Sequence, residues 1–164
     1  MYDPASRPAC IPAVCYQDPR KALDWLRQAF GFEIEMIIED DAGNPVHSEL
    51  RYGNGLVMVG AEWSVDHRSP ASIGRKCTQT VHIHMTEDID EHCARARKAG
   101  AEIVVEPADQ FYGDRTYRAR DPEGHIWTFG QTVKAVSPEE WDKAGGVRTR
   151  MGSRTGAGSP SGPS

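Results

Sequence analysis

Apolar residues recur along the chain with two periods that alternate in a fixed order. From Asp18-Pro19 onward, Ala22, Leu23, Leu26, Ala29 and Phe30 fall on one face of a 3.6-residue helix. Asp18 is placed to cap the free N–H groups, Pro19 suits the first turn and Gly31 suits the stop. Asp88 opens a second helix of the same kind: Glu91 completes a capping box, Ile89, Cys93 and Ala96 share a face, and Gly100 ends it. Strand-like runs surround both helices. One precedes each helix, at 11–16 and 80–86, and three follow, at 32–39, 46–52 and 56–61 and again at 102–106, 116–120 and 125–131. Asp41-Ala42-Gly43-Asn44-Pro45, Gly53-Asn54-Gly55 and Asp121-Pro122-Glu123-Gly124 supply turns between them.

The order βαβββ therefore occurs twice, and individual residues repeat with it. Gly31-Phe32-Glu33-Ile34 corresponds to Gly100-Ala101-Glu102-Ile103, and Arg51 and Gly55 correspond to Arg120 and Gly124, each pair 69 positions apart. The reading is an α+β chain with an N-terminal extension over 1–9, a first module over 10–62, an inter-module loop over 63–79 and a second module over 80–132. The loop is polar and aperiodic, long for a plain connection, and is expected to be a mobile cover over a site. Ser137-Pro138-Glu139-Glu140 caps a short helix carrying Trp141 within 133–144, and the Gly, Ser, Thr and Arg-rich tail over 145–164 is expected to be disordered.

Composition narrows the function classes. With 164 residues, 38% hydrophobic and 26% charged, the chain suffices for one core or two lobes sharing one. The net charge is −5 and the 19 Lys and Arg are scattered, so no basic stripe marks a nucleic-acid partner. No apolar run approaches the roughly 20 residues of a membrane span, and Met1-Tyr2-Asp3-Pro4 lacks the basic then apolar start of a secretory leader, which predicts a cytoplasmic protein. Cys10, Cys15, Cys77 and Cys93 form no CxxC pair and read as reduced thiols, mostly small packing residues. No nucleophile elbow, phosphate loop or dinucleotide fingerprint is present, and Gly53-Asn54-Gly55 is a hairpin turn.

Two tandem βαβββ modules carrying Ala29-Phe30-Gly31-Phe32, Tyr112-Gly113-Asp114-Arg115 and Asp121-Pro122-Glu123-Gly124-His125-Ile126-Trp127 resemble the vicinal oxygen chelate superfamily, in its glyoxalase/bleomycin-resistance-like branch. The resemblance covers about 11–131 and implies a paired half-barrel around a cavity, often completed across a dimer interface. Members include glyoxalase I, bleomycin-binding resistance proteins, fosfomycin-modifying enzymes and extradiol dioxygenases. Metal-using members place one ligand in the first and one in the last strand of each module. In this sequence those positions fall near Ile11, in the apolar run 56–59 including Val59, in the fifth strand with His82 and His84, and at Thr128, so with one plausible imidazole in four positions the resemblance implies no cofactor at the inherited site. Glu49 lies in a third strand and does not match the family's ligand-bearing fourth.

Alternation then defines a candidate face. If Ser48, Leu50, Tyr117 and Ala119 pack towards the helices, His47, Glu49, Arg51, Thr116, Arg118 and Arg120 point the other way, joined by His82, His84 and Thr128. From this set His47, Glu49, Arg51, His82, His84, Arg118 and Thr128 are the candidate ligand-binding residues; no catalytic residue is assigned. Two readings stand: the arginines, opposed on that face by Glu49 alone, bind a small ligand with an acidic group, or Glu49 pairs with Arg51 or Arg118 and the set is structural. Two function classes stand as well. One is a metal-free binding protein for a small molecule; the other is a lyase, isomerase or dioxygenase holding one divalent metal ion through His47, Glu49 and His82 or His84. Trp127 and Phe129 fall on the helix side and His125 reads as a backbone-fixing residue, whereas Trp63, Phe111 and Tyr112 suit ligand contact or a dimer interface. Exposed sheet edges predict a homodimer, with neither nucleic acid nor membrane as a partner.

Overall fold

The computed structural model describes residues 7–152, so residues 1–6 of the extension and 153–164 of the expected disordered tail lie outside the described residues. The chain runs β1 (Ala13–Tyr16), α1 (Pro19–Phe30), β2 (Glu33–Glu39), β3 (Pro45–Tyr52), β4 (Gly55–Ala61), a 3-10 turn (Pro70–Ile73), β5 (Thr80–His84), α2 (Ile89–Lys98), β6 (Glu102–Asp109), β7 (Asp114–Arg120), β8 (Ile126–Thr132) and α3 (Pro138–Gly145). Each module folds into its own four-stranded sheet, ordered β1-β4-β3-β2 and β5-β8-β7-β6. In both, the first strand pairs parallel with the last, and the remaining pairs are antiparallel.

The helices form where the caps place them. The Asp18 carboxylate accepts the Lys21 N–H, Pro19 occupies the first turn, and Gly31 closes α1 with φ +76°, donating its N–H to the Arg27 carbonyl. The Asp88 carboxylate accepts the N–H groups of Asp90 and Glu91 at the start of α2. In α3 the reciprocal box between Ser137 and Glu140 is complete.

Both helices serve one core. Ser48, Leu50, Tyr117 and Ala119 are buried on the helix side, as alternation predicts. The Phe30 ring, at the end of α1, lies 4.8 Å from the Phe129 ring and 5.8 Å from Trp127 in the second module. Trp127 and Phe129 are therefore core residues. His92, fully buried on α2 beside the expected face of Ile89, Cys93 and Ala96, lies 4.5 Å from the Phe129 ring. Its Nε2 lies 3.0 Å from the Phe30 carbonyl, which can only accept, so Nε2 carries the proton and Nδ1 accepts the Tyr117 hydroxyl at 2.6 Å.

A second tie runs through the β7–β8 turn. Buried Asp121 accepts the N–H groups of Glu123, Gly124 and His125 on Oδ1, and the Tyr16 hydroxyl (2.7 Å) and Trp127 indole N–H (3.0 Å) on Oδ2. The end of β1 is thereby fastened to the far module. His125 donates from Nε2 to the Cys15 carbonyl at 2.7 Å, the backbone-fixing role expected of it. The segment over 62–79, expected as a cover, is fastened at several points. Ser69, fully buried, donates from its hydroxyl to Glu123 and from its backbone to Glu62, while Arg75 donates to the Pro122 carbonyl. In the β6–β7 turn Gly113 has φ +98°, and its carbonyl accepts the N–H groups of Val133 and Lys134.

Candidate functional site

Each sheet keeps one face free of helices, and strand alternation decides what stands on it. In the first sheet Val14, Tyr16, Leu50, Val57 and Val59 belong to the core, which leaves Ala13 and Cys15, Leu56, Met58 and Gly60, and His47, Glu49 and Arg51 on the open face. In the second sheet Ile83, Tyr117, Ala119, Trp127 and Phe129 point inward. Thr80, His82 and His84, Ile126, Thr128 and Gly130, and Thr116, Arg118 and Arg120 then stand on the open face.

Register corrects two of the positions carried over from the family. Ile11 precedes β1, and His82 opposite Thr128 corresponds to Ala13 opposite Met58. Val59 points into the core. The cause lies in the turns: in β3–β4 Arg51 pairs with Leu56, whereas in β7–β8 Arg120 pairs with Ile126, one residue further along. The repeat offset thus lengthens by one after the turn, and the extra residue reverses which side chains face in. The four equivalent positions carry Ala13, Met58, His82 and Thr128, one imidazole among poor donors for a divalent ion, so the inherited metal site does not fit these residues. The alternative donors are divided, His47 and Glu49 on the first sheet and His82 and His84 on the second. Among the described residues no three His, Cys, Asp or Glu side chains form a group suited to a metal ion.

On the first sheet Glu49 is only 2% exposed. Neither Arg51 nor Arg118 pairs with it. Arg7, from the N-terminal extension, donates from its two terminal guanidinium nitrogens to the two carboxylate oxygens at 2.7 and 2.8 Å, and His47 Nε2 lies 3.0 Å from Oε1. The Arg7 hydrogen bonds outweigh burial and, helped by His47, hold the Glu49 carboxyl down at about 2, so it is ionised at any physiological pH. Arg51 is engaged by Glu35 at 2.7 Å. The sequence pattern missed Arg7, which lies 42 residues from Glu49 in a segment without periodicity.

The second sheet presents a different set. His82, Thr128 and Arg118 stand opposite one another across β5, β8 and β7, a row spanning about 10 Å at the usual strand spacing. The Thr128 hydroxyl lies 3.0 Å from that of Thr80. Arg120 is engaged by Glu102 (3.4 Å) and by the Gly124 and Arg75 carbonyls, so Glu49 is not the sole opposing acid among these side chains. Arg118 is exposed and, among the described residues, makes no ion pair. Gly130 completes the floor. A Cβ there would sit 3.0 Å from His82 Nε2, so the missing side chain lets the imidazole lie over β8.

At the junction of the modules the pinned segment walls a small cavity of about 220 Å³ with His67, Lys76 and Cys77, and with Ala13 and Cys15 of β1. Trp63 is exposed and stacks on His67, with ring centroids 4.9 Å apart. Phe111 and Tyr112 are exposed, and Phe111 lies beside α3.

Comparison with known proteins bears on this architecture. The family model for the Glyoxalase/Bleomycin resistance protein/Dioxygenase superfamily matches residues 11–129. An uncharacterized protein of Mycobacterium bovis is 33% identical over 138 residues, which cover 81% of this chain and 89% of that one. TioX from Micromonospora sp. ML1 superposes with a TM-score of 0.61 at 33% identity, covering 79% of this chain and all of the other. TnmS3, an antibiotic binding protein from Streptomyces sp. CB03234, superposes with a TM-score of 0.58 at 19% identity over 76% of this chain and 97% of its own.

Proposed function

We propose that this chain, which belongs to the Glyoxalase/Bleomycin resistance protein/Dioxygenase superfamily, binds a small organic molecule with an acidic group on the open face of its second module, without a metal ion. The observation that carries this reading is Arg118: a guanidinium without a carboxylate partner among the described residues, in one row with His82 and Thr128. A planar fork of donors suits a carboxylate or phosphate, and the Thr128 and His82 side chains add hydrogen-bonding capacity beside it. The glycine at 130 lets the His82 imidazole lie over β8 beside this row. An antibiotic binding protein shares the fold, which fits binding without turnover.

His82, His84 and Arg118 are exposed in a single chain. A second copy of the chain is the wall this reading requires, because desolvation strengthens a guanidinium contact far beyond its value in open water. Light scattering should accordingly give twice the 18.1 kDa chain mass.

A thermal-shift screen of carboxylates, phosphates, and neutral and cationic compounds tests the ligand class. Acids should raise the melting temperature, and Arg118→Ala should abolish those shifts while changing the unliganded protein by no more than about 2 °C, as for an unpaired surface residue. Acidic hits that persist in Arg118→Ala, or a hit list without acids, would overturn the reading.

A further inference from the structure

The open face of the first module has the opposite chemistry. Glu49 is an ionised carboxylate with 2% exposure, and a charge so placed requires a cation against it. The cation present comes from a segment that belongs to no helix or strand. Residues 7–12 precede β1, and among the described residues the Pro12 carbonyl accepts the Met58 N–H where the arm meets β4. Arg7 contacts both carboxylate oxygens, the fork geometry that a planar guanidinium or amidinium makes and a single ammonium does not. His47 takes the remaining approach to Oε1. Beside this group stand Met58, directly across from Glu49, and Gly60 further along β4, where a Cβ would meet nothing within 4 Å. An anchored carboxylate thus stands beside Met58, with open space at Gly60 further along β4.

We infer that Glu49, positioned by His47, is a subsite for a ligand guanidinium or amidinium, and that Arg7 on the N-terminal arm is its tethered occupant, displaced when such a ligand binds. The inference rests on reading the open faces as ligand surfaces and extends it to a cationic group on the first module. A tethered occupant lowers apparent affinity by the fraction of time the subsite is filled. Its removal therefore strengthens binding, whereas a purely structural ion pair predicts no such gain.

Cys10 offers a reporter. It is exposed on the arm, whereas Cys15 and Cys93 are buried, so a fluorophore placed on the full-length Cys77→Ser chain labels Cys10. Benzamidine is the probe. It should lower the anisotropy of the label by releasing the arm, and calorimetry should show Arg7→Gln binding benzamidine at least about tenfold more tightly than the native chain. Glu49→Gln should lose the binding. Equal or weaker binding by Arg7→Gln would overturn the inference, and that comparison stands even if Glu49→Gln fails to fold. Benzoate run in parallel keeps the two readings apart: its binding and the sensitivity of that binding to Arg118→Ala report on the second module alone.

Discussion

His92 shows how much one side chain can decide without appearing in any motif. Burial pushes its imidazole below the ordinary histidine value, while its hydrogen bond to the Phe30 carbonyl works the other way, and it stays neutral in the folded chain. A folded-state value below the unfolded one means that the unfolded chain takes up the proton first. Stability is then fully present above about pH 6.5 and is lost as the pH falls below it. Urea unfolding at pH 7 and pH 5 should show a drop for the native chain that is smaller in His92→Gln, whose stability at pH 7 should be lower by about 2 kcal/mol for the disturbed hydrogen bonds. The helical period did carry a signal for this residue, since position 92 lies three after Ile89 and four before Ala96, on the face that the apolar residues define. Arg7 carried none. Its partner lies 42 residues away, and nothing in local pattern selects one arginine among many for one buried glutamate.

At the scale of elements, the helices and strands were legible because caps, stops and alternation are local chemistry, and Asp18, Gly31, Asp88 and Ser137 all act where the sequence placed them. Pairing was legible only as far as the repeat stays in step. One additional residue in the β7–β8 turn moves Met58, not Val59, opposite the position of Ala13, and a period of two gives no warning of such a shift. Gly113 belongs to this scale too. Its positive φ and its close approach to the strand-leaving segment explain the glycine in Tyr112-Gly113-Asp114-Arg115, since an added Cβ would come within 2.1 Å of the Lys134 carbonyl oxygen. Gly113→Ala should lower stability by about 2–3 kcal/mol, read as a melting temperature reduced by roughly 5–10 °C, with loss of order centred on residues 133–136.

For the whole molecule, the two modules were readable as equivalents, but the way they join was not. Shared order along the chain says nothing about which faces meet, and the junction depends on contacts such as Tyr16 with Asp121 and Phe30 with Phe129, each between distant residues. That junction has a consequence for the chain as a covalent object. Trp63 and Val65 are 75% and 83% exposed, on the one connection between the modules. Cleavage beside Val65 would sever the polypeptide while leaving the joint aromatic core and the Asp121 hydrogen bonds intact. The two fragments should therefore migrate together in native gel filtration and separate only in denaturant. Expressed as separate polypeptides, they should find each other and restore one fold, so that the molecule behaves as a complementing pair of halves for which the peptide link serves as a tether.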